Sequence, residues 1–432
     1  MSSRLRGLLA LSPLGVFLAV YLISSLLAGD FYRVPVSSAF LIACIFAVFT
    51  AKGPLRSRID TFSRGAGDPN VLLMVWIFIL AGAFAGTARD IGSVDATVNL
   101  TMSVVPPGML FAGLFLTACF ISMAIGTSVG TIVALVPIGA GIAAQTGSSE
   151  AYMAAVIVGG ALFGDNLSFI SDTTIAATRA AGCEMRDKFK VNILIVLPAV
   201  AAVVAIYLLQ GRSVAVSAFS AAVNWIKVLP YVLVIVMALC GLNVTLILSV
   251  GIAAGAVIGW TTGCMGWVDW LESVGRGVAG MSDLIIVTLL AGGLLAMIRE
   301  AGGLDFIISG LTRAARGRRG AQASIAALVS LANVCTANNT IAIITTGSIA
   351  KDISDRFSID PRKTASILDT FSCMVQGIIP YGAQVLMASS LASVTPTAII
   401  PYLYYPFLMG LCAILAIVFD FPRFKDGVCG RS

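Results

Sequence analysis

The chain has 432 residues, of which 58% are hydrophobic and only 11% are charged, and its mean hydropathy is +0.99. This composition excludes a soluble globular domain and predicts a polytopic protein that lies in a lipid bilayer. The formal net charge of +6 comes from basic residues in short segments between apolar runs, where they set membrane orientation, so no nucleic-acid partner is expected.

The chain contains no histidine. It therefore lacks the usual proton carrier at neutral pH and the most common transition-metal ligand. Any proton or cation chemistry must use carboxylates, hydroxyls, amides and backbone groups, and we expect no cofactor. The nine cysteines are scattered without metal-ligand spacing and are interpreted as packing residues.

Apolar runs long enough to form membrane spans alternate with two regions in which polar residues interrupt the apolar pattern. The runs lie near 8–28, 36–51, 70–87, 191–210, 228–242, 244–262, 282–298 and 397–419. The two polar-interrupted regions are 106–177 and 321–392.

Clusters of Lys and Arg predict how these segments are oriented. They are Arg4 and Arg6; Lys52, Arg56, Arg58 and Arg64; Arg179, Arg186, Lys188 and Lys190; Arg313, Arg316, Arg318 and Arg319; and Arg423 and Lys425. The positive-inside rule places all of them, and both termini, in the cytoplasm, and we expect the protein to lie in a bacterial inner membrane. The first polar-interrupted region is then entered from outside, after Arg89, and the second from inside, after Arg319.

The two halves of the chain resemble each other. Arg89 and Asp90 match Arg299 and Glu300 at an offset of 210 residues, and TSVGTI from Thr127 matches TANNTI from Thr336 at an offset of 209. Asp165 matches Asp369 at an offset of 204, which places Gln376 opposite Asp172. Matched polar interruptions in duplicated halves are typical of secondary transporters with discontinuous helices.

These patterns predict an all-α polytopic membrane protein with two inverted-topology repeats of about five transmembrane helices. Each repeat has a re-entrant hairpin and a broken helix, and a continuous crossing at either hairpin is the alternative. The first repeat covers 1–212, with its hairpin at about 106–145 and its broken helix at about 151–177. The second covers 228–432, with its hairpin at about 321–350 and its broken helix at about 365–392, and 213–227 is an interfacial connector.

Two short polar clusters lie at the predicted hairpin tips. The first contains Thr127, Ser128 and Thr131, and the second contains Asn333, Thr336, Asn338, Asn339 and Thr340. Backbone groups freed by a break in a membrane helix need partners, and hydroxyls, amides and free carbonyls suit Na+, whereas half-helix N-termini suit a carboxylate-bearing solute. The structural alternative is that each Ser or Thr bonds to its own helix.

Three carboxylates, Asp165, Asp172 and Asp369, lie in the predicted broken helices. An ionised carboxylate at the bilayer centre costs about 2.5 to 3.5 kcal/mol, so such a residue is rarely without a role. Burial favours the protonated form and a bound cation favours the ionised form, which makes these residues candidates for H+ and Na+ exchange. The alternative is a cap on a half-helix N-terminus, which fits Asp172 equally well.

Two classes of enzyme and a passive channel are the alternatives to a transporter. GTSVG around Ser128 matches a nucleophile elbow, but the chain has no histidine, and no lysine at membrane depth is evident for a Ser-Lys pair. An intramembrane aspartyl protease could use Asp165 and Asp369 as its dyad, but each lies in a matching set with Ser168 or Ser372. A passive channel is disfavoured because no ring of identical charges is present.

The motif FGDNLSFISDTT, from Phe163 to Thr174, resembles the signature of the NhaC family of Na+/H+ antiporters, and the residues from Ala332 to Gln384 resemble its C-terminal region. The resemblance implies the ion-transporter superfamily fold, with the ions at unwound helix segments. It implies ion-linked roles for Asp165, Ser168, Asp172, Thr173, Asn338, Thr340, Asp369 and Ser372, with Na+ at Asp165, Ser168, Asn338, Asp369 and Ser372. Asn166, Thr370 and Gln376 complete the candidate lining.

Asn166 and Phe169 stand where the family motif has Lys and Pro, which changes the charge of the site by one unit. The resemblance predicts a Na+/H+ antiporter that works by alternating access, with Na+ and H+ as its coupling ions. The alternative is a Na+- or H+-coupled carrier or exchanger of a small amino acid or carboxylate. A homodimer is a further expectation.

Overall fold

The computed structural model describes residues 3–28, 35–168, 171–212, 224–240, 242–306 and 317–422. Within these residues the secondary structure is helical, without a strand, which confirms the predicted all-α class. Seven helical segments in this part of the chain are long and apolar enough to cross a bilayer, or eight if the bent pair Pro396–Tyr402 and Tyr404–Val418 is one span.

The helices of the first half follow the predicted runs closely. They are α1 Ser3–Ala28, α2 Val36–Thr50, α3 Leu55–Ala66, α4 Pro69–Asp90, α5 Ser93–Val104, α6 Leu110–Ile125, α7 Ser128–Thr146, α8 Glu150–Leu167, α9 Asp172–Ala181 and α10 Met185–Gly211. Most of the predicted connector 213–227 lies outside the described residues.

The second half repeats this order, except that the described residues include no complete counterpart of α5. Its helices are α11 Trp225–Leu239, α12 Val244–Thr262, α13 Trp267–Ala279, α14 Ser282–Glu300, α15 Gly317–Thr336, α16 Asn339–Arg356, α17 Pro361–Ile378, α18 Ala383–Ala392, α19 Pro396–Ile399 and α20 Tyr404–Val418. The pairs α6/α7 and α15/α16 are each joined by a two-residue turn and occupy the regions predicted as hairpins. The segments α8/α9 and α17/α18 are the two helices interrupted near their C-terminal ends.

The helix ends of the two halves correspond at an offset of 211 residues. Ser128 begins α7 as Asn339 begins α16, and Asp172 begins α9 as Ala383 begins α18. The hydrogen bond from Ser122 Oγ to Ala161 O (2.5 Å) has its counterpart in Asn333 Nδ2 to Ser372 O (2.6 Å) at the same offset. The repeats are therefore related residue by residue in this region.

This correspondence corrects the sequence alignment. At an offset of 211 the counterpart of Asp165 is Gln376, and Thr127 corresponds to Asn338 instead of Thr336. Asp369 lies seven residues before the position that matches Asp165. Seven residues are close to two turns of an α-helix, about 7.2 residues, so the shifted alignment keeps the same helix face and the polar pattern does not distinguish the two registers.

Reciprocal contacts join the repeats. The amphipathic helix α3 packs on α14 of the other repeat, and α13 packs on α4 in the same way. A Cβ at Gly65 would lie 2.5 Å from Gly292 O, and a Cβ at Gly277 would lie 2.1 Å from Gly82 O, so glycine is required for the helices to approach this closely. Such mutual exchange of equivalent surfaces is the property of a two-fold axis.

Matching polar contacts flank the glycines. Thr61 Oγ1 and Ser273 Oγ each donate to a carboxylate at 2.6 Å, that of Glu300 and that of Asp90 respectively. Arg64 lies 4.0 Å from Glu300, and Arg276 lies 2.8 Å from Asp90. The acidic residues of the two duplicated Arg/acid motifs, Asp90 and Glu300, are thus part of the contact between repeats.

The helices form two groups. Helices α1–α4 and α11–α14 pack mainly with one another and are called the frame. Helices α6–α10, α15–α18 and α20 pack mainly with one another and are called the core group. Both interrupted helices belong to the core group and are its most buried members. The two groups share fewer contacts than either has internally, so relative motion disrupts little packing.

The glycine contact between α13 and α4 generates a stability prediction. We expect Gly277→Ala to lower the free energy of unfolding of the purified protein by about 1–3 kcal/mol, because the new methyl group overlaps the backbone of α4. Gly275→Ala, on the same helix with nothing within 4 Å, is the matched control and should be neutral or stabilising. Thermal unfolding in detergent measures both, and equal melting temperatures would contradict the contact.

Candidate functional site

The candidate site lies where the helix interruptions of both repeats meet. At the α6/α7 turn, Gly126 is left-handed (φ 76°) and Thr127 is extended (φ −144°), so α7 starts abruptly at Ser128. At the α15/α16 turn, Ala337 is left-handed (φ 48°) and Asn338 is extended (φ −146°). The left-handed region is uncommon for a residue with a Cβ, so Ala337 is held there by its surroundings.

Asp165 caps a helix that is not its own. It is 5% exposed, and its two carboxylate oxygens accept from Ser128 N at 2.8 Å and from Ser128 Oγ at 2.5 Å. The first turn of a helix has free N–H groups and a partial positive charge, which stabilise an anion there. The carboxylate therefore lies at the N-terminus of α7 without any ion-pair partner among the described residues.

A chain of polar side chains runs from this carboxylate into the second repeat. Gln384 Nε2 donates to Ser128 Oγ at 2.9 Å, and Gln376 Nε2 donates to Gln384 Oε1 at 2.9 Å and to Ala337 O at 3.1 Å. Two buried amide oxygens, Gln376 Oε1 in this chain and Asn333 Oδ1 on α15, accept no hydrogen bond among the described residues. Unpaired buried acceptors are costly, and a cation would satisfy them.

Asp369 lies in a second cluster, around Lys188. The Lys188 ammonium pairs with Asp369, and it donates to Asn166 O at 2.5 Å and to Thr174 Oγ1 at 2.9 Å. Both side chains are buried, with 1% and 0% of their surface exposed. Asn166 O belongs to the last turn of α8, whose free carbonyls attract a cation, so one ammonium group neutralises Asp369 and caps α8. Cys373 Sγ also lies 3.3 Å from Asp369 Oδ1.

Lys188 contradicts two sequence-based expectations. It was grouped with the cytoplasmic basic residues, and no lysine at membrane depth was expected, but its ammonium is buried beside Asp369. Arg186 and Lys190 on the same turn remain exposed. The detectable signal is the spacing of Lys188 and Asn192, four residues apart on one helix face. Asn192 Nδ2 donates to Asn166 O at 3.1 Å beside the lysine.

Several predicted residues hold the centre together. Asn166 Nδ2 donates to Thr370 Oγ1 at 3.2 Å and so joins the two repeats. Thr173 Oγ1 donates to Asp165 O at 2.9 Å. Asn339 Nδ2 lies 4.0 Å from Cys373 Sγ, close to Asp369.

Other predicted residues have local partners. Thr131, Ser168, Thr336 and Ser372 donate their hydroxyls to backbone carbonyls, those of Thr127, Met123, Asn338 and Asp369. Asn338 Oδ1 caps α16 by accepting from Ile341 N at 3.0 Å, and the backbone N–H of Thr340 donates to Asn339 Oδ1. The Ser168, Asn338 and Ser372 side chains of the expected Na+ set are therefore engaged in backbone bonds. Asp172 is exposed in the first turn of α9, where a carboxylate favours the helix N-terminus.

The geometry gives the enzyme alternatives no support. Ser128 Oγ bonds to Asp165 and Gln384, whereas Lys188 bonds around Asp369, so no Ser-Lys pair forms among the described residues. No hydrogen bond joins the carboxyl groups of Asp165 and Asp369 in this part of the structure, each of which has its own donors. A dyad that shares one proton needs direct contact.

A cavity of about 470 Å³ leads toward the site. It lies between α3, α14 and the α15/α16 turn, and it is lined by Arg64, Asp68, Glu300, Thr336 and Ile341 among others. Thr336 directly precedes Ala337, whose carbonyl accepts from Gln376. The cavity thus reaches the α15/α16 turn, to which Gln376 of the polar centre is bonded.

Buried charges and interrupted helices inside a membrane-spanning helical protein define a membrane transporter. Residues 8–212 and 213–421 match the model of the Na+/H+ antiporter family. The chain therefore belongs to the Na+/H+ antiporter family and is a secondary antiporter, and the resemblance to NhaC proteins is confirmed.

Individual relatives cover most of the chain. The Na+/H+ antiporter NhaC of Alkalihalophilus pseudofirmus is 23% identical over 94% of this chain and 94% of its own. The malate-2H+/Na+-lactate antiporter of Bacillus subtilis is 22% identical over 93% and 92%, and the arginine/ornithine antiporter ArcD of Halobacterium salinarum is 25% identical over 85% and 81%. The YdaH transporter of Alcanivorax borkumensis has 13% identity and a TM-score of 0.42, covering 85% of this chain and 88% of its own.

The Lys188–Asp369 pair generates a second stability prediction. Lys188→Met leaves a buried carboxylate without its partner, and we expect it to destabilise the protein by about 3–5 kcal/mol. The double variant Lys188→Met/Asp369→Asn removes both charges and should recover most of that loss. Thermal unfolding in detergent compares the two, and a double variant no more stable than Lys188→Met would show that the charge balance is not what stabilises this cluster.

Proposed function

We propose that the protein exchanges Na+ for H+ across a bacterial cytoplasmic membrane, with Asp165 as the carboxylate that carries either ion. The observation that supports this most directly is the difference between the two buried aspartates. Asp369 is neutralised by Lys188, whereas the donors to the Asp165 carboxylate within the described part of the chain are the N–H and hydroxyl of Ser128. Asp165 is therefore free to hold a proton or a cation in turn.

The surroundings of Asp165 supply oxygen ligands of the kind that Na+ prefers. Ser128 Oγ donates to the carboxylate, and Gln376, whose Oε1 accepts no hydrogen bond among the described residues, is linked to Ser128 through Gln384. Na+ bound to Asp165 neutralises it as a proton does, so the two ions compete for one charge. No cofactor is required for this exchange, because the carboxylate, hydroxyl and amide groups supply all of its chemistry.

From the charges of Lys188, Asp369 and Asp165 we also propose a ratio of H+ to Na+. If Lys188 stays protonated, the centre has one uncompensated negative charge, on Asp165. One H+ then replaces one Na+, and the exchange moves no net charge. An imposed membrane potential should accordingly leave the rate of exchange unchanged, a property that potassium-diffusion potentials in proteoliposomes measure.

Asp165→Asn tests the assignment. An amide keeps the shape of the carboxylate but cannot trade a proton for Na+, so we expect exchange to fall at least a hundredfold, with expression unchanged. Everted vesicles with a pH-gradient dye, challenged with Na+, measure this. Asp172→Asn is the matched control in the same interrupted helix and should retain most activity, because Asp172 is exposed at a helix end. Near-normal exchange by Asp165→Asn would return this residue to a capping role.

A second candidate is a cation-coupled exchanger of a small amino acid or carboxylate. Two relatives are named for malate, lactate, arginine or ornithine exchange, and Asp165, which has no ion-pair partner among the described residues, is a carboxylate with which a substrate ammonium group would pair.

Substrate requirement separates the two candidates. In the Na+/H+ case, Na+ alone should give a dye signal in everted vesicles without any organic solute. Asn166→Lys should weaken Na+ affinity by at least tenfold, since it adds a positive charge beside Lys188. A flat signal with Na+ alone, together with uptake of a labelled amino acid or malate, would reverse the order of the candidates.

The orientation follows the basic residues. We propose that both termini, α3 and the α9/α10 turn with exposed Arg186 face the cytoplasm, and that α13 faces outward. A cysteine at Arg186 should then react with a membrane-impermeant thiol reagent only in everted vesicles. Reaction in whole cells would contradict this orientation.

A further inference from the structure

The core group sits asymmetrically on the symmetric frame. Helix α18 packs against α4 and α14, and Ser390 Oγ near its end donates to Gly280 O, at the end of α13, at 2.9 Å. Its counterpart in the first repeat is α9. In the described residues α9 packs on α8, α10, α16 and α17, and it has no comparable packing on α4 or α14.

Two cavities record the same asymmetry. The cavity of about 470 Å³ and a second one of about 420 Å³ have equivalent frame walls, since Arg64, Gly65 and Glu300 in the first correspond to Arg276, Gly277 and Asp90 in the second. The first cavity reaches Thr336, beside the site, whereas the second ends on α18 at Leu386 and Ser389. The protein is therefore open on the first side and closed on the second.

The two-fold relation between the repeats specifies the opposite state. If each repeat adopts the arrangement that its partner has here, α9 takes the place of α18 against the frame. The counterpart of Ser390 at the offset of 211 residues is Arg179, in the last turn of α9. The counterpart of Gly280, at the end of α13, is the junction of α3 and α4 at 67–69, where Asp68 is the charged residue.

We propose that Arg179 and Asp68 form an ion pair in the second state of the transport cycle, hold α9 against the α3–α4 junction and close the cavity beside Thr336. Arg179 is exposed here, and no ion pair joins it to Asp68 in the described residues. Asp68 already lines the cavity that this contact would close. Both residues fall on the side predicted to be cytoplasmic, so one state is open inward and the other outward.

The two closures differ in the kind of contact that holds them and in how that contact responds to salt. A hydroxyl-to-carbonyl bond closes the side of α18, whereas an ion pair would close the side of α9. An ion pair between exposed side chains is screened by salt. Arg64, Arg299 and Glu300 also face this cavity and contribute to the field around Asp68. The closure at α9 should therefore weaken as ionic strength rises, and the closure at α18 should not.

Cysteine cross-linking tests the pair directly. In a background without the nine native cysteines, Asp68→Cys/Arg179→Cys should form a disulfide on mild oxidation, and Ser390→Cys/Gly280→Cys should do so as well. Asp60→Cys/Arg179→Cys is the matched control, since Asp60 lies about 12 Å further along α3. Each of the first two cross-links should block transport reversibly. The proposal is overturned if the 68/179 pair yields no more product than the 60/179 pair.

A charge exchange keeps the test decisive if the cysteine variants do not fold. Asp68→Arg and Arg179→Asp should each slow transport about fivefold, the effect of a contact worth about 1 kcal/mol, and the double variant should restore the rate. Failure of the double variant to exceed both single variants would also overturn the pair. The yield of cross-linked product measures the closure whatever ion the protein carries. The transport assay rests on the proposed Na+/H+ exchange, so the two experiments can fail separately.

Discussion

The centre of this protein depends on how two buried aspartates are compensated. A carboxylate inside a membrane protein must find a proton, a cation or strong donors, because the surroundings do not solvate its charge. Asp369 obtains a permanent cation from Lys188, and Asp165 obtains the N-terminus of α7. The cation at Asp369 is a side chain of the protein and stays in place. Asp165 has only a helix N-terminus beside it among the described residues, so an exchangeable ion can bind there.

The interrupted helices make this arrangement possible. Each interruption exposes helix ends inside the protein, and the chain then matches end charges with side chains of the opposite sign. The start of α7 receives a carboxylate, and the end of α8 receives an ammonium group and the amide of Asn192. The same backbone groups that would be costly in an apolar interior thus become part of the ion site.

The frame has the opposite property, since its contacts are duplicated and tightly packed. Glycines at 65, 82, 277 and 292 let backbone meet backbone in both repeats, and an Arg, a hydroxyl and a carboxylate accompany each contact. The frame is symmetric about the two-fold axis, and the core group has matching contacts within itself but packs asymmetrically on the frame. This combination is a physical basis for two alternative states. The asymmetry lies at the few contacts between the groups, which are the contacts that can change at low cost.

The sequence by itself determined the all-α membrane class, the duplication and most helix positions, because apolar length and polar interruption are local properties that hydropathy records. It also singled out Asp165 and Asp369, both of which are buried, and the polar residues at the hairpin tips, of which only some are buried. It matched Asp165 with Asp369 instead of Gln376, because a shift of seven residues, close to two helix turns, keeps Asp369 on the same helix face. It likewise placed Lys188 among the loop residues, because a lysine at the start of a helix looks the same from the sequence whether its ammonium faces water or a carboxylate. Only the tertiary structure brought α10 beside α17 and so decided which aspartate is neutralised and which is open to an ion.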